Sequence, residues 1–248
     1  MQDIYIFKRV EKKYRVDQAK KDALIEHCKE RLIPDPHGKS TVCSLYLDTP
    51  DRLLIRNSID AKVYKEKLRI RSYGVPQKDE KVFFEIKKKY KGVVYKRRVA
   101  MTVVQTEDYI KSGIRPEQSQ IMSEIDYTME FYKHPSPSMI VAYEREAYFI
   151  KDHPNLRITF DTNVRYRETD LFIEHGNEGK TILGNGEYIL EIKTDGAMPL
   201  WLSHALDECA ILPCSFSKYG SSYLDSLKTK LDKENKITKG ELEHACSL

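Results

Sequence analysis

Cysteine, histidine and long apolar runs are all too sparse or too scattered in this chain to carry the chemistry they usually carry. The five cysteines, Cys28, Cys43, Cys209, Cys214 and Cys246, are odd in number and contain no Cys-x-x-Cys pair or histidine spacing that suggests zinc. Reduced thiols in a cytosolic protein fit them best. The seven histidines are dispersed, and no serine, histidine and aspartate arrangement is legible, so nucleophilic catalysis has no support. No apolar run approaches the roughly 20 residues needed to span a bilayer. The opening Met1-Gln2-Asp3-Ile4-Tyr5 lacks the form of a signal peptide, and the expected location is the cytoplasm. A large excess of one charge is also missing. With 42 basic and 38 acidic residues the formal net charge is only +4, so any preference for anions must come from where the charges sit.

What the chain does have is a basic stretch from Lys67 to Arg98. It reads Lys67-Leu68-Arg69-Ile70-Arg71-Ser72-Tyr73-Gly74, then Phe83-Phe84-Glu85-Ile86-Lys87-Lys88-Lys89-Tyr90, then Val93-Val94-Tyr95-Lys96-Arg97-Arg98. Side chains alternate across a strand, so Lys67, Arg69 and Arg71 share one face, Glu85, Lys87 and Lys89 another, and Lys96 and Arg98 a third. Leu68, Ile70, Phe84, Ile86, Val99 and Met101 occupy the opposite face and suit packing under helices. From this stretch alone the charged face can be an ordinary solvated surface or a binding surface.

Taken in order, Ile4 to Val16 reads as a strand with Arg9, Glu11 and Lys13 on one face. Asp17 suits a helix N-cap, with Leu24, Cys28 and Leu32 recurring behind it until Pro34 ends the helix. Thr41 to Asp48 is a second strand, and Thr49-Pro50 opens a short helix from Asp51 to Ile59. After the basic strands, Thr106 caps one helix and Pro116 to Tyr132 forms a longer one. Strands follow at Ser138 to Ile150 and Leu156 to Arg167. Gly184-Asn185-Gly186 then turns into a last strand, Tyr188 to Lys193. A helix from Pro199 to Ala210 carries Leu202, Leu206 and Cys209 on one face, and a final helix carries Tyr219, Tyr223 and Leu227. That gives about eight strands in one domain over residues 1–228, with a polar, poorly packed tail over 229–248.

Arg69, Arg71, Lys87, Lys96, Arg98, Tyr143, Arg145, Arg157, Glu191 and Lys193 all fall on alternating strand positions. If they faced out of a closed sheet, the helices would have little apolar surface to cover. If they face in, helices cover an apolar outside and the interior becomes a cationic tunnel that needs a multivalent anion. The expected fold is therefore α+β, an antiparallel β-barrel tunnel with helices packed on the outside. Phosphate chains meet its charge requirement, since arginine donates paired hydrogen bonds to their oxygens. Glu191 is either an ion-pair partner of Lys193 or an oxygen ligand for Mg²⁺ or Mn²⁺, with Glu85 and Glu11 in support. Gly179-Lys180-Thr181 has Glu174 where a P-loop would start with glycine, and is set aside.

These motifs resemble the VTC domain, the polyphosphate polymerase module of the vacuolar transporter chaperone family, within the wider CYTH or triphosphate tunnel superfamily. The resemblance runs over about residues 4–227. It rests on Glu11-Lys12-Lys13-Tyr14, Leu68 to Gly74, Phe84-Glu85-Ile86-Lys87, Tyr143-Glu144-Arg145, Arg157 to Thr162, Leu190-Glu191-Ile192-Lys193 and Ser217-Lys218-Tyr219. It implies transfer of the γ-phosphate of ATP to a polyphosphate chain with a divalent metal, usually manganese. By motif, Lys13, Arg69, Arg71, Lys87, Arg145, Arg157 and Lys218 match the phosphate-contacting positions. Tyr143 and Ser217 match supporting ones, Lys96, Arg98 and Lys193 are expected as further substrate contacts, and Glu191 matches the metal ligand. Lys13 stands where related tunnel phosphatases carry a glutamate, and Ser215 stands where some members carry a lysine. The implied partners are ATP and polyphosphate or inorganic phosphate, with no nucleic acid, and a membrane partner protein is compatible with a chain that has neither an SPX sensor domain nor membrane helices. A tri- or polyphosphatase and a non-catalytic phosphate-binding module are the alternatives.

Overall fold

The computed structural model describes residues 10–245 except Lys62 and Gly92. The expected strand start at Ile4 to Arg9, and Cys246, lie outside the described residues. In chain order the elements are β1 (Val10–Asp17), α1 (Gln18–Cys28), β2 (Leu32–Asp48), α2 (Leu53–Asp60), β3 (Tyr64–Tyr73), β4 (Lys81–Tyr90) and β5 (Val93–Thr102). They continue with α3 (Val103–Ser112), α4 (Gln120–Phe131), β6 (Ser136–Ile150), β7 (His153–Arg167), β8 (Lys180–Leu183), β9 (Glu187–Thr194), α5 (Leu200–Glu208) and α6 (Lys218–Ala245). A single 3-10 turn at Ile173–His175 follows β7.

All nine strands join one antiparallel sheet in the order β1-β9-β7-β6-β2-β3-β4-β5, with β8 paired to β7. Among the described residues β1 and β5 are not hydrogen-bonded to each other, so the sheet curls into a tunnel without closing as a ladder. Side chains bridge the gap instead: Lys87 on β4 reaches Glu11 on β1 at 3.8 Å. The segment before α6 also lies along β1, where Cys214 N donates to Lys13 O at 2.7 Å.

Strand parity divides the apolar residues between two faces. Leu68, Ile70, Phe84, Ile86, Val99 and Met101 are buried outside, under α3 and α4, with Tyr109, Met122 and Ile125. Tyr14, Val16, Ile158, Phe160, Leu190 and Ile192 are buried outside under α1 and α5. The helices there satisfy the expectation that an apolar outer surface must be covered. Two helices break the pattern. Ile55 of α2 and Tyr219 of α6 join Val42, Tyr46, Met139, Val141 and Tyr143 on the inner face, so one stretch of the tunnel interior is an apolar plug. Asn163, at positive φ, lies where β7 changes parity, which is how Asp161 and Val164 both come to face inward.

Several local expectations shift. Asp17 caps α1 by accepting from Lys20 N at 2.8 Å, but the helix stops at Cys28 and Leu32 with Pro34 opens the 17-residue β2. Thr49-Pro50 precedes α2 without starting it, and Arg52 in the left-handed region occupies the N-cap. The buried Asp48 carboxylate instead accepts from Leu54 N at 2.9 Å and Ile55 N at 3.0 Å. Thr102, not Thr106, caps α3 in a capping box with Gln105. Ser119 caps α4, which begins four residues after Pro116. β8 is a ninth strand beyond the expected eight, and its four residues carry too little pattern to be legible in the sequence. Ser222 and Ser226, not Leu227, continue the buried side of α6 below Tyr219. That helix also runs straight past Lys228, and Lys180 Nζ donates to Thr229 Oγ1 at 2.7 Å. Among the described residues no helix is long and apolar enough to cross a membrane.

Candidate active site

The charged inner face is built in register. Lys13 pairs with Glu191 across β1 and β9, Thr159 with Glu191 across β7 and β9, and Arg145 with Asp161 across β6 and β7. Lys218, at the start of α6, drops between them. Glu191 Oε1 takes Lys218 Nζ at 2.9 Å and Lys13 Nζ at 3.4 Å. Its Oε2 takes Lys193 Nζ at 3.1 Å and Arg145 NH2 at 3.3 Å. Arg145 also forks onto fully buried Asp161 at 2.6 and 2.7 Å, and Lys218 contacts the same carboxylate. Tyr143 underlies both cations, with its ring centre 5.2 Å from Arg145 and 4.5 Å from Lys218.

A second cluster spans β3, β4 and β5. Arg69 holds Glu85 through Nε at 2.9 Å and NH2 at 2.7 Å, and Lys96 also contacts Glu85. Arg69 NH1 donates to Tyr46 OH at 3.4 Å, and Tyr46 stacks on Tyr219 with ring centres 3.9 Å apart. Arg71 Nε lies 3.4 Å from Ser44 Oγ. Between the clusters, Lys67 Nζ donates to Ser217 Oγ at 2.9 Å and Lys13 Nζ to Phe216 O at 2.9 Å, so the segment before α6 is pinned from both sides. Arg98 lies over the Phe83 ring at 4.6 Å, nearer the exposed edge. Arg157 is the outlier: it bonds Asp35 at 2.6 Å and stands over Phe149, away from Glu191.

Burial and neighbouring charge compete at these groups. Burial alone would raise the Glu191 carboxyl, but Lys218, Lys193, Lys13 and Arg145 hold it well below the usual carboxylate range. Burial likewise opposes ionised Glu85, yet Arg69, Arg71 and Lys96 bring it to about 2. Glu11 is brought to about 2 against its own burial, chiefly by Lys87. Lys67 and Lys87 go the other way. Burial pushes both down to about 8, with Lys13 and Arg69 among the like charges that add to it. Tyr46 is lowered to about 8 despite burial, because Arg69, Lys67 and Arg71 surround its oxygen.

The interior is thus partly self-neutralised, a correction to the expectation that it could be stable only around a multivalent anion. Asp161 accounts for much of that correction. It shares the stripe of Arg157 and Thr159, which was the signal that could have found it. Lys67, on the Arg69 and Arg71 face, joins the site through Ser217 although the family motifs do not single it out. Tyr46 gave no sequence signal, since its role depends on Arg69 from a neighbouring strand. Thr159 Oγ1 is buried beside Glu191 with no hydrogen-bond partner.

The divalent metal that the sequence resemblance implies finds no ready-made cage. Among the described residues no group of three or more His, Cys, Asp or Glu side chains could hold one alone. Glu191 and Glu11, bridged by Lys13 at 3.4 and 3.2 Å, are two hard oxygen donors of the inner face, with Asp161 joined to Glu191 through Lys218 and Arg145. They fit Mg²⁺ or Mn²⁺ when phosphate oxygens and water supply the other ligands.

No curated protein matches the sequence. Among solved structures, a candidate adenylate cyclase from Bacillus halodurans shares the fold, with a TM-score of 0.52 at 12% identity over 85% of this chain and 95% of that one. The PH1819 protein from Pyrococcus horikoshii OT3 gives 0.46 at 17% identity over 90% and 99%. A candidate adenylate cyclase from Vibrio parahaemolyticus gives 0.44 at 13% over 86% and 96%. The VTC domain family model matches residues 8–226, almost the whole span that carries the curled sheet and both charged clusters, and the chain belongs to that family.

Proposed function

We propose that this protein is a metal-dependent polyphosphate polymerase that transfers the γ-phosphate of ATP to a growing polyphosphate chain. The observation that carries the reading is the inner face, where Lys13, Lys67, Arg69, Arg71, Lys87, Arg145, Lys193 and Lys218 outnumber the carboxylates they surround, Glu11, Glu85, Asp161 and Glu191, and Lys67 and Arg71 bond hydroxyls instead. Phosphoryl transfer asks mainly for positioning and charge neutralisation, and a cationic tunnel supplies both without a nucleophilic side chain.

In this reading a terminal oxygen of the acceptor chain attacks the γ-phosphorus, the bond to the β,γ-bridging oxygen breaks, and ADP leaves with that oxygen. Arg69, Arg71 and Arg145 bind the equatorial phosphate oxygens by exchanging part of their bonds to Glu85, Ser44 and Asp161. Lys13 and Lys218 orient the acceptor's terminal phosphate beside Glu191. The apolar plug around Tyr46, Tyr143 and Tyr219 keeps water out of that end. Mn²⁺ or Mg²⁺, held by Glu191 and Glu11 with the phosphates, would neutralise charge on the transferring group.

A phosphatase of the same fold remains the second reading, and Lys13 disfavours it. An ammonium where a carboxylate base would stand holds an acceptor oxygen and cannot activate water. The test is incubation of the purified protein with ATP and Mn²⁺, with products separated on a gel that resolves phosphate polymers. A polymer ladder with ADP and little orthophosphate is expected. Orthophosphate released in step with ADP and no chain would move the assignment to a phosphatase, and neither product would leave a binding module.

A further inference from the structure

On the outer face of the sheet, separate from the tunnel, α4, the start of β3 and the end of β4 enclose a small hollow of about 150 Å³. Its walls are Tyr64, Tyr127, Phe131 and Tyr132, and its floor is Glu66 with Lys88 at one side. Glu66 lies between Lys65 and Lys67 in sequence, but β-strand alternation turns it outward, and only 6% of its side chain is exposed. It accepts a hydrogen bond from Tyr132 OH at 2.8 Å, and Lys88 Nζ lies 3.2 Å from its other oxygen.

The aromatic walls are exposed where a structural cluster would be buried. Tyr127 is 64% and Phe131 63% exposed. They stack on each other with ring centres 6.1 Å apart, and Phe131 meets Tyr132 edge-on at 4.9 Å. Two accessible rings one helical turn apart, a third and fourth ring beside them and a buried carboxylate beneath are the ingredients of a cation-binding cage. The ring faces present negative electrostatic potential and the carboxylate fixes the sign of the ligand. A primary ammonium keeps a tight water shell and prefers hydrogen-bond acceptors, whereas an alkylated ammonium sheds water easily and matches ring faces. Lys88 already engages the carboxylate, but its side chain is about one-third exposed and can turn to solvent, giving up its ion pair with Glu66 to the incoming cation.

We propose that this hollow binds a quaternary ammonium group, with Tyr64, Tyr127, Phe131 and Tyr132 around the methyl groups and Glu66 as counter-ion. The site faces away from the tunnel and offers rings and one carboxylate in place of the tunnel's cations, so it serves a different ligand. Lys88 competes for Glu66 and keeps the affinity modest. The shared chemistry of free choline and of a choline lipid headgroup is the trimethylammonium group, and vesicles distinguish the two sources.

The test is titration of the full chain with choline and with 3,3-dimethylbutan-1-ol, the neutral isostere, followed by tyrosine fluorescence and calorimetry. Saturable choline binding, at least roughly tenfold tighter than the alcohol, is expected. Tyr127→Ala and Phe131→Ala change exposed residues and leave the fold intact, and each should weaken choline several-fold, while Lys88→Met should tighten it. Co-sedimentation with phosphatidylcholine but not phosphatidylglycerol vesicles would assign the lipid headgroup, and its failure beside choline binding would assign the free cation. Choline that does not saturate, equal affinity for the alcohol, or no change in Tyr127→Ala and Phe131→Ala would overturn the proposal. The tunnel reading is untouched by any of these results, since none of the variants faces the inner surface.

Discussion

Glu191 sits where four cations meet, so its removal has two opposed effects. Glu191→Gln removes the carboxylate to which the proposed function assigns the metal and also frees Lys13, Lys193, Arg145 and Lys218. We expect loss of Mn²⁺-dependent turnover by a hundredfold or more, with metal-free tripolyphosphate binding kept or strengthened, read by gel and by calorimetry. Unchanged turnover would assign the metal elsewhere. Lys13→Glu should shift ATP products from polymer toward orthophosphate, measured on one sample. Lys67 and Lys87 set the pH dependence of binding. Burial holds both at about 8 in the free protein, and a bound polyanion favours their protonated forms. Both are charged below about pH 7 and lose that charge above it, so their contribution to tripolyphosphate affinity should fall as pH rises through 8 to 9. Protons should be taken up on binding in that upper window, measurable in buffers of different ionisation enthalpy. Affinity that is flat from pH 7 to 9 would remove these lysines from the anion's surroundings.

At the scale of elements, α2 and α6 are locked together through one carboxylate. Asp48 accepts two backbone N–H groups at the start of α2 and the Tyr219 hydroxyl of α6 at 3.0 Å. Asp48→Ala should cost roughly 2–4 kcal/mol in urea unfolding, from the lost cap and the unpaired groups left behind. Tyr219→Phe should cost only about 1 kcal/mol. Equal costs would mean that the tyrosine hydroxyl carries the lock. Strand alternation made the outer residues Leu68, Ile70, Phe84 and Ile86 legible, and with them the inward turn of Arg69, Lys87 and Glu191. It could not show that α2 and α6 enter the inner face, because Ile55 and Tyr219 look like any amphipathic helix residues until the partner surface is known. The four residues of β8 and the cap at Thr102 were similarly hidden, one by length and the other because Thr106 lies equally close to the apolar run. Side-chain pairing was the least legible of all: Asp161 and Tyr46 matter through partners on other strands.

The whole molecule carries a stack of ionised carboxylates in a low-dielectric interior, and that makes its stability pH-dependent. Glu85 and Glu11 are held at about 2 in the folded state against an ordinary value of 4.5. Their contribution is fully present above about pH 4.5 and is lost as pH falls through 4.5 toward 2. Glu85, wholly buried against Arg69, represents on the order of 3 kcal/mol of this by linkage. Thermal unfolding between pH 6 and 3 should show the decline, and Glu85→Gln should flatten it while lowering stability at pH 6. The proposed function has the anion engage these same buried charges, so the central claim is a claim about the inner face. Its most direct measurement is calorimetric titration of tripolyphosphate into the protein and into Arg69→Ala with Arg71→Ala, with circular dichroism confirming that both are folded. Saturable binding that the double substitution abolishes is the predicted result. A folded double variant that binds tripolyphosphate as the unaltered protein does would contradict the account.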